Sequence, residues 1–309
     1  MRNAYLKELC GIAKKDRNVL SLVSDNGLIV YDDFRRDLPE QYFNFGISEG
    51  HMVAAAAGMA SCGKIPFAYT IGAFLAYRAY EFIRVDVCLQ NLNVKIVGIG
   101  AGVAYGYLGA THHTTEDIAA LRCMPNLTLL SPATPSEAKA LVRHAYQTDG
   151  PVYIRLGNNL PDELYPQGEE VLPGKISILR DGKDIAVFAT GEIVYQAMAA
   201  AQRLQEQGID AEVISVHTLK PFDVENVLKV AEKFPLLYSV EEHSVLGGLG
   251  GLLSETLASH GCKNRLVRIG FEDRFAKGYG TREEVLAANG LDPESIARKI
   301  ITIQSQSRA

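Results

Sequence analysis

Along the first half of the chain, short apolar runs alternate with longer stretches whose apolar residues recur every three or four positions. Residues 3–15 have the spacing of an amphipathic helix, and 18–23 form a short apolar strand. Residues 49–61 are Ala-rich and helical, with Gly63 placed just past the C-cap. Strands are predicted at 65–69, 94–99, 127–130 and 151–155. Between them, 73–90 sets Phe74, Tyr77, Tyr80 and Ile83 on one side of a helix, and 117–122 reads as a short helix stopped near Pro125. Thr134-Pro135-Ser136-Glu137 has the form of a capping box with Pro at the first helical position. Its helix carries Ala138, Leu141, Val142 and Ala145 on one face.

Residues 157–174 break this rhythm with Pro161, Pro166, Pro173 and several acids, and read as a linker. A second alternating set follows. Strands are predicted at 184–189, 211–216, 236–240 and 266–269, and Val194, Ala197, Met198, Ala201 and Leu204 mark a helix stripe ended by Gly208. Strands alternating with helices predict mostly parallel sheets covered by helices. The expected fold is α/β, with two three-layer α/β domains: residues 1–160, a linker at 161–178, and residues 179–309.

Length and composition narrow the class without naming a chemistry. A chain of 309 residues suits two domains, and 47% hydrophobic with 22% charged residues is ordinary globular material. The formal charge of -5, with no basic patch, argues against nucleic acid. The first twenty residues carry Arg2, Lys7, Glu8, Lys14, Lys15, Asp16 and Arg17, so no secretory signal is expected there. No run reaches the roughly 18 apolar residues that span a bilayer. Cys10, Cys62, Cys88, Cys123 and Cys262 form no CxxC pair and read as thiols of a reducing cytosol, so a cytoplasmic location is expected.

Three segments of the first half carry candidate chemistry. In Phe43-Asn44-Phe45-Gly46-Ile47-Ser48-Glu49-Gly50-His51-Met52 a Gly-containing turn feeds a helix with Glu49 in its first turn. A carboxylate there has an ordinary use, complementing the helix dipole. Its apolar neighbours, however, predict partial burial. The second segment runs from Pro66 to Arg84, off a strand and into a helix dense in aromatics, a stripe that also suits a core. The third, Gly102-Val103-Ala104-Tyr105-Gly106-Tyr107-Leu108-Gly109-Ala110-Thr111-His112-His113, is a Gly-rich loop after a strand, where α/β proteins bind ligands. Its His pair has no third ligand at helical or hairpin spacing, so no metal site is expected.

Together these segments resemble the thiamine-diphosphate enzymes of the transketolase family, in order and over essentially the whole chain. The family's Gly, spacer and Glu opening an Ala-rich helix matches Gly46 to Ala60. Its Pro-Phe-x-x-Thr-x-x-x-Phe segment, followed by Arg-Ala-aromatic-acid-x-Ile-Arg, matches Pro66 to Arg84. The Gly-x-Thr-His loop matches Gly109 to His112, and Glu116 to Asn126 matches the segment after it. Glu241-Glu242-His243, Gly247 to Gly250 and Asp273-Arg274-Phe275 with Gly278 and Gly280 resemble the family's C-terminal domain. The resemblance implies a pyrimidine-binding fold followed by a transketolase C-terminal domain.

The resemblance also assigns roles. Glu49 matches the carboxylate that bonds N1′ of the cofactor's aminopyrimidine and favours the imino tautomer, which removes the C2 proton. Phe74 matches the ring that stacks on the pyrimidine. Ile71 stands where a Phe is common, and Asp25 matches an Asp near the thiazolium, though it equally suits a capping residue at the strand end. His112 matches a loop His that hydrogen-bonds substrate and shuttles protons. Leu108 replaces an acid that reads a substrate hydroxyl, and Asn158 replaces a phosphate-clamping Arg. Arg155 either compensates for that Arg or makes a structural ion pair. These departures imply a sugar other than the ordinary pentose phosphates.

No Gly-Asp-Gly, the family's diphosphate and Mg²⁺ segment, occurs in the chain. With Met1 opening directly on the pyrimidine-binding domain, the resemblance implies a split enzyme. A separate N-terminal, diphosphate-binding subunit then supplies most of the Mg²⁺ contacts, with two copies of each chain. The implied reaction is transfer of a two-carbon ketol unit from a ketose to an aldose. Alternatives are a decarboxylating relative, either deoxyxylulose-phosphate-synthase-like or a 2-oxo-acid dehydrogenase β subunit, and a non-catalytic regulatory partner. Retention of both Glu49 and Phe74 argues against the last.

Overall fold

The structure is a computed structural model that describes residues 1–27, 30–157, 163–165 and 170–308. The strands are β1 (Val19–Val23), β2 (Tyr42–Asn44), β3 (Ile65–Ile71), β4 (Lys95–Ile99), β5 (Thr128–Leu130), β6 (Val152–Leu156), β7 (Ser177–Arg180), β8 (Ile185–Thr190), β9 (Ala211–Ser215), β10 (Thr218–Lys220), β11 (Leu236–Ser244) and β12 (Arg265–Phe271). They build two sheets, matching the expected α/β class. The first runs β10-β5-β6-β4-β3-β1-β2 and is parallel except at β10. The second runs β12-β11-β8-β9-β7 and is parallel except at β7.

Every residue of β1, β4 and β6 is buried, Ser21, Lys95 and Arg155 among them, as central strands of a sheet covered on both faces should be. On one face, helices Arg2–Ala13 and Pro135–Gln147 pack Tyr5, Leu9, Leu141 and Val142 against Val19, Phe67, Val97 and Ile154. On the other, helix Glu49–Ser61 brings Met52, Val53 and Ala56 to Leu22, Ala68 and Ile96. That same cluster takes in Phe188, Ile214, Leu219 and Leu237 from the second half, so one core runs across both sheets. Helices Val194–Glu206 and Pro293–Arg308 cover the far face of the second sheet, through Ala197, Leu204, Ile296 and Ile300.

Several expectations are refined by non-local partners. Thr134 does accept from the Glu137 amide at 3.2 Å, with Pro135 opening the helix. The Glu137 carboxylate is fully buried, however, and turns to the Ala133 amide, the Tyr165 hydroxyl (2.6 Å) and the Ser215 hydroxyl (2.7 Å), so the reciprocal half of the capping box is missing. The helix expected over 73–90 divides into π-helical Phe74–Arg78, a single α turn Tyr80–Phe82 and π-helical Ile83–Cys88. Bonds from i to i+5 widen such turns and shift side chains off a regular stripe. Strand β7 begins at Ser177, inside the stretch read as linker, and β10 joins the first sheet from beyond it. Among the described residues no helix is long and apolar enough to cross a membrane.

Candidate active site

The site forms where the C-terminal ends of β1, β3 and β4 release their loops. After β1, the Ser24 hydroxyl donates to the Gly46 carbonyl at 2.7 Å and accepts from the Ser48 amide at 3.0 Å. This ties the turn before Glu49 to the strand. Asp25 sits in the same turn with a left-handed backbone (φ 49°), exposed, accepting from the Asn44 side-chain amide at 3.1 Å. Its observed contacts are therefore those of the turn residue.

Glu49 opens helix Glu49–Ser61 and is only 2% exposed. Its neighbour Gly50 lets the helix start close against the aromatic segment: a Cβ there would lie 2.8 Å from the Phe82 ring. Arg78 Nη1 donates to Glu49 Oε2 at 2.9 Å, while the Arg78 guanidinium carbon stands 5.1 Å from the Phe74 ring centroid. That distance allows a cation–π contact. The same Phe74 ring meets the His112 imidazole edge-on, with centroids 5.0 Å apart and planes at 69°. Ile71 ends β3 three residues before Phe74 and is half-buried.

Thus Arg78, to which the sequence alone assigned no role, joins Glu49 to Phe74, and His112 from a third segment meets the same ring. The other members of the loop lie differently. His112 is half-buried with Nδ1 3.0 Å from the Thr111 hydroxyl, whereas His113 is buried, and burial holds its imidazole below the usual value. Among the described residues no group of three or more His, Cys, Asp or Glu is arranged to hold a metal. Leu108 is 43% exposed at the end of the 3-10 turn Gly106–Leu108. Asn158 lies outside the described residues.

Arg155 forms the ion pair that was one of its two expected uses. It is 2% exposed, and its Nε donates to both oxygens of Asp117 at 3.1 and 2.9 Å. Its Nη2 donates to the carbonyls of Thr114 (2.9 Å) and Glu242 (3.0 Å). Enclosed and engaged on buried oxygens, it makes the contacts of the structural ion pair, one of the two uses the sequence left open. Two further contacts brace the site from outside the predicted set. The Tyr77 hydroxyl donates to Glu116 at 2.8 Å, joining the Phe74 segment to the end of the Gly-rich loop. Glu242 accepts from the Val103 amide at 2.8 Å. The sequence held one signal for the latter, a Glu241-Glu242 pair ending an apolar strand, where buried charge needs partners.

Comparison with known proteins fits this arrangement. The transketolase pyrimidine binding domain matches residues 1–162, and the transketolase C-terminal domain matches residues 174–296. An apulose-4-phosphate transketolase subunit of Phocaeicola vulgatus is 36% identical over 96% of this chain and 95% of its own length. A 6-deoxy-6-sulfo-D-fructose transketolase subunit of Clostridium sp. (strain MSTE9) is 35% identical over 96% of this chain and 92% of its own. Among solved structures, a split gene transketolase described as an inactive β4 tetramer superposes with a TM-score of 0.87 at 34% identity, covering 97% of this chain and 96% of that one. Matched in both domains and along nearly its full length, the chain belongs to the transketolase family, whose enzymes depend on thiamine diphosphate.

Proposed function

We propose that this chain is the pyrimidine-binding subunit of a heteromeric transketolase that moves a two-carbon ketol unit from a ketose to an aldose. The observation that carries this reading is the buried Glu49 carboxylate linked through Arg78 to a Phe74 ring that His112 meets edge-on. These groups suit the aminopyrimidine end of thiamine diphosphate: a buried carboxylate acceptor, an aromatic ring and a nearby imidazole. When bound, the cofactor supplies a carbon nucleophile that the side chains lack. Glu49 contributes a carboxylate for a ring nitrogen, in surroundings where a charge-assisted hydrogen bond is strong. Phe74 contributes a stacking face and Ile71 an apolar contact. His112 contributes an imidazole able to hydrogen-bond a sugar hydroxyl and move a proton near the reacting carbon.

The diphosphate and Mg²⁺ are assigned to a partner subunit carrying Gly-Asp-Gly, with two copies of each chain in the assembly. Support comes from the lack of that motif here and from relatives named as subunits. The solved relative described as an inactive β4 tetramer supports a further point: without its partner this chain self-associates and does not turn over. Leu108 and Asn158 stand in place of the family's acid and Arg, and two relatives are named for apulose 4-phosphate and 6-deoxy-6-sulfo-D-fructose. Both points favour a sugar outside the ordinary pentose phosphates.

The test is Glu49→Gln in the complex with the partner. The change is nearly isosteric, so the fold is retained, but a neutral amide cannot play the carboxylate's part. Deuterium exchange at the cofactor's C2 is expected to slow by orders of magnitude, and unchanged exchange would remove the role given to Glu49. Turnover with a ketose donor rather than pyruvate separates ketol transfer from the decarboxylating alternatives.

A further inference from the structure

We infer that Glu242 and Arg282, both from the second half of the chain, are positioning residues for His112. This rests on the transketolase reading of His112. The loop carrying His112 is closed at its base by a paired bridge: the Gly102 amide donates to the Thr114 carbonyl at 3.0 Å, and the Thr114 amide to the Gly102 carbonyl at 2.7 Å. Both strands of that base are fastened to Glu242. Its carboxylate Oε1 accepts from the Val103 amide at 2.8 Å, and its carbonyl shares the Arg155 Nη2 with the Thr114 carbonyl. Arg282 holds the carboxylate in place, donating from Nε to Oε1 at 3.2 Å and to Oε2 at 3.0 Å, and from Nη2 to Oε2.

The loop is cut to receive this clamp. Gly102 has φ +62°, and a Cβ there would lie 2.4 Å from the Glu242 side chain, so only glycine admits the carboxylate to the Val103 amide. The segment leading to Arg282 also lies on the loop's crest. A Cβ at Gly106 would be 2.7 Å from the Gly280 carbonyl, and one at Gly109 would be 2.4 Å from the Tyr279 ring. Glu242 and Arg282 are 3% and 7% exposed. An apolar contact would hold the two halves together at no desolvation cost, whereas a buried, hydrogen-bonded fork fixes direction and register. What it fixes here is a loop that presents His112, two residues before the closing Thr114, to Phe74. The hydrogen bonds described for Glu242 run to the base of the loop and to its two arginines, so the pair acts on His112 through the loop.

The experiment compares wild type and Glu242→Gln, which keeps an acceptor for Val103 and loses the charge facing Arg282. In the full chain, amide hydrogen exchange over 102–113 is expected to rise at least tenfold, while peptides of β8 and helix Val194–Glu206 hold their rates. In the complex, kcat/KM is expected to fall roughly tenfold to a hundredfold, the scale of a misplaced catalytic group. Cofactor C2 exchange, which depends on Glu49, is expected to stay within about twofold. Adding Glu242→Gln to His112→Asn is expected to cost nothing further. Unchanged loop exchange, a kcat/KM within twofold of wild type, or losses that add to those of His112→Asn each overturn the inference. A wild-type complex without ketol transfer refutes the functional reading instead, and loop exchange still decides the clamp. Should Glu242→Gln not fold, Arg282→Lys keeps the charge but not the fork, and the same pattern is expected at smaller size.

Discussion

At the scale of single residues, the surroundings of a charge decide whether it serves the fold or the reaction. Arg155 illustrates this. With its guanidinium enclosed and paired to a fully buried Asp117, Arg155→Met leaves a carboxylate buried without its cation. Removing one member of such a pair costs about 3–5 kcal/mol. Urea unfolding of the variant chain is expected to show that loss, and a change in sugar KM without a change in stability would restore Arg155 to the substrate site. Glu49, Phe74 and His112 were legible in the sequence because each sits in a local motif next to a strand end. Arg155 was ambiguous because a lone Arg after a strand carries no mark of what faces it. Arg78 lay inside a recognised motif, yet its partner Glu49 is 29 positions away. No spacing rule joins them.

At the scale of elements, legibility followed how local the stabilising contacts are. The helix predicted over 49–61 is observed as Glu49–Ser61, because both its ends are written in adjacent residues. The helix predicted over 73–90 departs from regularity at Phe74–Arg78 and Ile83–Cys88, since a wide turn is imposed by what packs around it. β10, three residues long, was invisible to periodicity and exists through pairing with β5. The approach of the first two helical elements of the site gives a test. Gly50→Ala places a methyl group 2.8 Å from the Phe82 ring and must push the start of helix Glu49–Ser61 outward. Overpacking of this kind costs about 1–3 kcal/mol. Thermal unfolding is expected to record it, together with reduced kcat in the complex because Glu49 moves with the helix. A variant as stable and active as wild type would show that the contact is slack.

At the scale of the whole molecule, the two halves share more than a linker. β10 completes the first sheet, and one apolar cluster runs through both sheets. Buried polar bonds also cross between them, from Ser215 to Glu137 and from Val103 to Glu242. Neither half buries its polar groups alone, so the chain is expected to unfold as one unit. Scanning calorimetry on the full chain should give a single transition with matching calorimetric and van't Hoff enthalpies. Two resolved transitions would mean the shared core is weak. The sequence showed two alternating sets separated by a Pro-rich stretch and so suggested two domains in series. The interlocking was hidden because each crossing contact joins residues far apart in the chain.

The guanidinium of Arg78 stands on the two groups, the Phe74 face and the Glu49 carboxylate, that a flat nitrogen heterocycle would need. The chain thus carries its own tenant. If the aminopyrimidine takes both contacts, as proposed, filling the place would be an exchange in which one planar nitrogen-rich group leaves for solvent as another arrives, and the measured affinity would be the difference between two similar attachments. A flat ring that stacks but presents no nitrogen to the carboxylate would leave Glu49 stripped of its cation and would be evicted. One that does both would replace each of the contacts Arg78 gives up. On the proposed reading the internal cation would then act as a standard that every visitor has to exceed, and this chain would begin to discriminate among heterocycles before any sugar arrives.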